Sequence, residues 1–234
     1  MTDKPKRVAF CCPTITRPYQ QFLDAMRAEV PLLDAAGLEH GMIFEVGSAY
    51  ISHARATLLR KAMDWLPDII VFLDHDLSWK PGELLKLIQT PGEVVAGTYR
   101  FKTEREEYMG TLELKEGYPI TRDDGCIKAQ WVPAGFLKIT DGVVHEMMQS
   151  YPELNYGPRY RPSHDLFNHG AHEGVWYGED YAFSRRWGDR GGEIWIVPDL
   201  DLTHHDAAGV AYPGNFHQAL LEKPATTPEQ KKAA

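Results

Sequence analysis

Cysteine is scarce, at three among 234 residues. Cys11 and Cys12 are neighbours in an apolar run, Cys126 stands alone, and no CxxC spacing occurs, so neither a disulfide framework nor a zinc knuckle is expected. Long hydrophobic runs are missing as well. The longest apolar stretches fall far short of the roughly 20 residues a bilayer-spanning helix needs, so no membrane span is expected. Residues Met1 to Arg7 contain no signal-peptide core, which makes the cytoplasm the expected compartment. Basic charge is not in excess either. The formal net charge of −8 counts against a general nucleic-acid-binding surface, although it leaves room for a nucleic-acid acceptor held locally. There is no GxGxxG after the first strand-like run, no GxxxxGK[ST] and no GxSxG, which disfavours dinucleotide enzymes, P-loop ATPases and α/β-hydrolases. An anionic ligand would then depend on a few placed cations and a bridging divalent metal.

The composition, 43% hydrophobic and 25% charged, is that of a globular chain long enough to bury its own core. Arg7 to Cys12, His40 to Val46 and Asp68 to Leu73 read as strands separated by helices at about 19–36 and 51–66. This alternation predicts βαβ units and a parallel sheet buried on both faces. A further helix is expected over 82–89 and a strand over 93–97. Hairpin-like segments follow at 108–114 and 119–127, then a strand at 131–139 and a helix at 141–150. The stretch 151–176, rich in Pro, Gly, His and aromatics, reads as a functional loop. A helix over 178–190 and paired strands within 193–204 complete the fold. We expect one α/β domain over 1–221, with a Rossmann-like half to about residue 100 and a more antiparallel half from 101 to 221. The polar segment 222–234 is expected to be a disordered tail.

Asp74 and Asp76 stand just past an apolar strand, where open α/β sheets bind ligands. In extended backbone, residues i and i+2 share a face, so both carboxylates would meet one cation. Mg²⁺ and Mn²⁺ commonly use one or two carboxylates together with substrate phosphates. The alternative is a polar turn closing the strand. Arg55 falls inside the apolar stripe of the 51–66 helix (Ile51, Leu58, Leu59, Ala62). From there it would reach past the first turn toward a diphosphate or base, or toward an acidic neighbour. Glu179 and Asp180 open a helix. They either complement its dipole or form a catalytic pair in which Asp180 is general base on an acceptor hydroxyl. His204 and His205 close a strand-like run, where either would be an ordinary polar terminus or a ligand completing the metal site. His164, His169 and His172 are irregularly spaced and give a weak metal signal.

The order Ser52-His-Ala-Arg55, Phe72-Leu-Asp-His-Asp76, Val132-Pro-Ala-Gly-Phe136, Gly178-Glu-Asp180 and Leu200-Asp-Leu-Thr-His204 resembles that of GT-A fold glycosyltransferases, DxD-containing and family 2-like, over nearly the whole chain. The resemblance implies a metal-dependent transfer, with Mn²⁺ or Mg²⁺, from a nucleoside-diphosphate sugar to an acceptor hydroxyl. The donor nucleotide implied first is UDP, and inversion is mildly preferred. The acceptor stays open among a glycan, a lipid-linked sugar, a protein and a modified nucleobase. By the same resemblance Thr14 and Arg17 would meet the nucleoside, and Asp74 the ribose or metal. Asp76 would be the direct metal ligand, Ala134-Gly135 the loop beside the donor sugar, Asp180 the base, and His204 the last metal ligand, with His205 as its alternative. A metal-dependent phosphohydrolase and a non-catalytic sugar-nucleotide-binding module are the competing readings.

Overall fold

Val8, Phe10 and Cys12 of strand β1 (Arg7–Thr14) point into one apolar layer, while Ala9 and Cys11 point into another. That period of two makes β1 an interior strand of a sheet covered on both faces. A computed structural model describes residues 6–222. The expected tail, 222–234, lies outside the described residues except for Glu222. Beyond β1 the first half contains α1 (Gln20–Ala35), β2 (Glu39–Val46), α2 (Ile51–Met63), β3 (Ile69–Leu73), β4 (Leu77–Trp79), α3 (Glu83–Gln89) and β5 (Val94–Gly97). β1 pairs in parallel with both β2 and β3. This is the expected Rossmann-like arrangement, with α2 packed on one face and α1 and α3 on the other.

The middle of the chain holds β6 (Thr111–Leu112), a small hairpin of β7 (Leu114–Lys115) and β8 (Tyr118–Pro119), β9 (Ile127–Trp131), β10 (Phe136–Thr140) and α4 (Asp141–Ser150). The expected single strand over 131–139 is in fact the end of β9 and most of β10. Pro133 cannot donate to a ladder, and residues 132–135 cross between the two strands instead. β10 inserts antiparallel between β3 and β5, giving an eight-stranded mixed sheet in the order β2-β1-β3-β10-β5-β15-β9-β6. The 151–177 stretch is less irregular than expected. It contains a 3-10 turn and two short ladders, β11 (Asn155–Tyr156) with β12 (Ser163–His164) and β13 (Gly170–His172) with β14 (Val175–Tyr177).

The chain ends with α5 (Glu179–Asp189), β15 (Ile194–Val197), β16 (Asp201–His205), β17 (Ala211–Asn215) and α6 (Phe216–Glu222). β15 and β16 do not pair with each other as the sequence suggested. β15 joins the main sheet between β5 and β9, whereas β16 lies between β17 and β4 in a separate three-stranded sheet. Pro198 interrupts the run between them. The β4–β16 pairing brings His204 and His205 to the segment just after β3. Buried Glu29 of α1 fixes that segment from behind, accepting hydrogen bonds from Trp79 Nε1 and from the Gly82 and Leu85 amides at the start of α3.

Candidate donor and metal site

β3 ends at Leu73, and the chain turns at once, with the Leu77 amide donating to the Asp74 carbonyl at 3.1 Å. The extended backbone expected across Asp74-His75-Asp76 is therefore replaced by a turn. Both carboxylates still line one cleft of about 280 Å³, together with Thr14, Ser48, Ile51, Arg55 and Glu179. This volume lies near the lower end of the range for small-molecule sites. The cleft opens beyond the C-terminal ends of β1 and β3, the position that open α/β sheets use for ligands. A larger depression of about 480 Å³ lies between β9 and α5. Its cations are already matched, Lys128 by Glu113 and Glu193 and Arg185 by Asp189, so we place the site at the strand-end cleft.

The two acids have different partners. Asp74 Oδ1 accepts from Arg55 Nη2 at 3.0 Å, and its Oδ2 lies 3.5 Å from the hydroxyl of buried Tyr99. Asp76 Oδ2 contacts the Lys102 ammonium and lies 3.5 Å from His204 Nε2. Burial opposes ionisation of Asp76, but hydrogen bonds from His204 and Lys102 outweigh it and hold this carboxyl well below the ordinary carboxylate range. Among the described residues no group of three or more His, Cys, Asp or Glu side chains is arranged to hold a metal ion. His204 and His205 separate cleanly. His204 Nδ1 meets the Arg100 carbonyl at 2.8 Å, leaving Nε2 toward Asp76, while His205 Nε2 is bonded to Ser78 Oγ at 2.7 Å. His164, His169 and His172 sit apart from one another, against Asn155, Ser52 and Glu173 respectively.

Arg55 is 2% exposed and does not extend freely toward an anion. Its guanidinium is enclosed by Asp74, by Glu179 at 3.5 Å and by the Ala134 carbonyl at 3.4 Å, and it lies over the rings of Phe72 and Phe167. Glu179 thus faces Arg55. Asp180, next on α5, accepts from the Tyr181 amide and has its carboxyl pushed up to about 6 by burial and then by the neighbouring Glu179 charge. Thr14 lines the cleft with its buried hydroxyl unpartnered. Arg17 is brought elsewhere, exposed beside a surface depression with Tyr19 and Gln20. Tyr99 and Lys102 are the residues that sequence reasoning missed.

Ala134-Gly135 does not line the cleft but packs behind it, against Arg55 and Asp74. The Gly135 carbonyl accepts from the Asp74 amide at 2.9 Å. A Cβ at Gly135 would lie 2.2 Å from the Tyr99 hydroxyl and 2.5 Å from Asp74 Oδ2, closer than any real contact. Gly135→Ala should therefore displace both side chains, with an overpacking cost of about 1–3 kcal/mol. A lower thermal midpoint is the expected result, and an unchanged midpoint would show that Asp74 is not held against the glycine.

No family model matches the sequence, and no curated protein matches it. Among solved structures the chain is similar to a mutant of Drosophila β-1,4-galactosyltransferase 7 in complex with manganese, UDP-Gal and xylobiose. The identity is 13% and the TM-score 0.44, over 97% of this chain and 78% of that one. It is also similar to GalNAc-T7 with UDP, GalNAc and Mn²⁺, at 11% identity and a TM-score of 0.43, over 87% of this chain. The match covers 44% of GalNAc-T7, so the chain spans less than half of that structure. At these values neither likeness assigns a ligand or a reaction to the present chain. No helix among the described residues is long and apolar enough to cross a membrane.

Proposed function

We propose that this chain is a metal-dependent glycosyltransferase of the GT-A type, moving a sugar from a nucleoside-diphosphate sugar, with UDP as the nucleotide, to an acceptor hydroxyl. The observation that carries this reading is the pairing, in one cleft, of anion-binding and cation-binding groups. The N-terminus of α2 opens there through Ile51 and Ala54, and its N-cap residue Tyr50 makes no side-chain capping bond. The first-turn amides are thus available to phosphate oxygens, and the unpartnered Thr14 hydroxyl adds another polar group. Asp74, Asp76 and Glu179 outnumber the two cations that pair with them, Arg55 and Lys102, and this excess of negative charge would repel a diphosphate that a divalent cation would draw in.

The donor set fits such an ion. Asp76 Oδ2 and His204 Nε2 are 3.5 Å apart, a spacing compatible with neighbouring ligands on one ion whose bonds are about 2.1 Å long. The Arg100 carbonyl holds Nδ1 and so orients the ring with Nε2 toward Asp76, as supporting groups do at metal sites. Nε2, a donor to that carboxylate without an ion, would give up its proton to become a ligand. Two protein donors leave the remaining positions to phosphate oxygens and water. A bound divalent ion would supply Lewis-acid stabilisation of charge on the departing diphosphate. Arg55 keeps Asp74 and Glu179 in place, and Asp180 accepts the proton of the acceptor hydroxyl. That oxygen forms the new bond to the anomeric carbon while the bond to the diphosphate oxygen breaks and its electron pair leaves with the diphosphate. Attack from the opposite face gives inversion.

A thermal-shift panel of UDP-, GDP- and dTDP-sugars with and without Mn²⁺ tests the reading. A donor present at about 100 times its Kd adds about 2.7 kcal/mol of apparent stability, or several degrees for a chain of this size. We expect the largest shift with a UDP-sugar plus Mn²⁺. Asp76→Ala should remain folded and lose the Mn²⁺-dependent part of that shift together with turnover. Full activity of this variant in chelator, or no shift with any nucleotide sugar, would overturn the proposal.

A further inference from the structure

The position that a divalent ion would take at Asp76 already has a cation beside it. Lys102 Nζ contacts Asp76 Oδ2, the same oxygen that His204 approaches. Asp76 is 13% exposed and Lys102 one third exposed, so the pair is partly withdrawn from water and is not a freely solvated surface contact. Of the acids that follow Lys102 in sequence, Glu106 is engaged by the Tyr108 hydroxyl and Glu107 by Arg105. The backbone around Lys102 is anchored independently of that contact. Arg100 donates to the Thr103 and Glu104 carbonyls and to Pro213 in β17. The lysine stem can therefore swing without unfolding its segment, and four methylenes give it the freedom to do so.

We propose that Lys102 is the resident counter-ion of Asp76, which a divalent metal must displace before it can use that carboxylate. The inference rests on the metal reading given above. Two effects act together. The ammonium competes for the ligand oxygen, and its charge repels an incoming dication over a few ångströms. The nucleotide-free protein then binds metal weakly, and a diphosphate recovers the affinity by bringing its own oxygens to the ion and by offering the displaced ammonium a new anionic partner. Lys102 thus couples metal binding to donor binding, so that the two arrive together.

The test is Mn²⁺ titration of the nucleotide-free protein, with free Mn²⁺ read by electron paramagnetic resonance. Lys102→Met should bind Mn²⁺ about tenfold or more tightly than the parent chain. Lys102→Arg, which keeps the charge, should stay close to the parent. Adding Asp76→Asn to Lys102→Met should abolish the gain. Lys102→Gln serves in place of Met if circular dichroism shows that the Met variant is not folded. Unchanged or weaker binding by the neutral variants would overturn the proposal. Repeating the titration with UDP separates the two possible failures. If UDP recruits Mn²⁺ equally to parent and variant while the nucleotide-free gain is missing, the counter-ion role falls and the metal site stands. If no protein binds Mn²⁺ with or without UDP, the metal reading falls and takes this inference with it.

Discussion

Replacing Arg55 with methionine should cost about 3–5 kcal/mol of stability, the penalty usual when one member of a buried ion pair is removed. Asp74 and Glu179 converge on this one guanidinium, so its loss leaves two carboxylates without their shared cation. Methionine retains most of the aliphatic volume against Phe72 and Phe167, which keeps the effect electrostatic and limits any cavity contribution. At about 2–4 °C per kcal/mol for a chain of this length, the thermal midpoint should fall by roughly 10 °C. Glu179→Gln in the Arg55→Met background should recover part of the loss, because the neutral amide no longer needs the cation. A coupling of about 0.5–3 kcal/mol between the two positions is expected for groups in one network. A single-variant loss below about 1 kcal/mol, or strictly additive changes, would mean that Arg55 does not organise these acids. The same variant should weaken Mn²⁺-dependent donor binding, since Asp74 would lose the contact that orients it.

The elements of the first half are legible because they follow local rules. Uninterrupted apolar residues from Ile69 to Leu73 mark a strand buried on both faces, and the polar residue ending such a run falls at the sheet's ligand-binding edge, as Asp74 does. Thr98 ends β5 in the same way, and Tyr99 is the residue after it, so the rule applied to every strand points to the right segment but not to Tyr99 itself. What local pattern cannot carry is the choice of partner. Period-two alternation describes β10 equally well parallel or antiparallel, and its insertion between β3 and β5 follows from long-range packing. Likewise nothing in Ile194 to His205 tells that β15 and β16 enter different sheets, although Pro198 marks where they separate. Within the site, Asp74, Asp76, Arg55, Glu179 and Thr14 meet at one cleft, while Arg17 points to solvent because the chain has left the sheet edge by Thr16. Lys102 lies in the charged run from Arg100 to Glu107, which looks like any solvated surface, and only the tertiary fold brings it to Asp76.

Asp180→Asn should lower turnover by roughly 10² to 10⁴ while sparing donor binding, the range expected for removal of a general base. The parent should show kcat/KM rising with pH through an inflection near 6, where Asp180 loses its proton, and the variant should lack that limb. Stability gives an independent reading with a definite sign. Because burial and the Glu179 charge raise this carboxyl above its ordinary value of 3.8, the native state holds the proton more tightly than the unfolded chain does. The resulting stabilisation is fully present below the unfolded value and is lost as pH rises through about 6, so the ionised group costs at most about 3 kcal/mol at pH 7.5. The Asn variant should therefore melt higher than the parent at pH 7.5 and close to it at pH 4. A helix-capping role predicts the reverse at neutral pH, since an acid in the first turn complements the dipole and its loss lowers the midpoint. A variant that is less stable at pH 7.5 and fully active would assign Asp180 to the cap. One that is more stable and nearly inactive would fit an active-site acid whose ionised form the fold tolerates at a cost to its own stability.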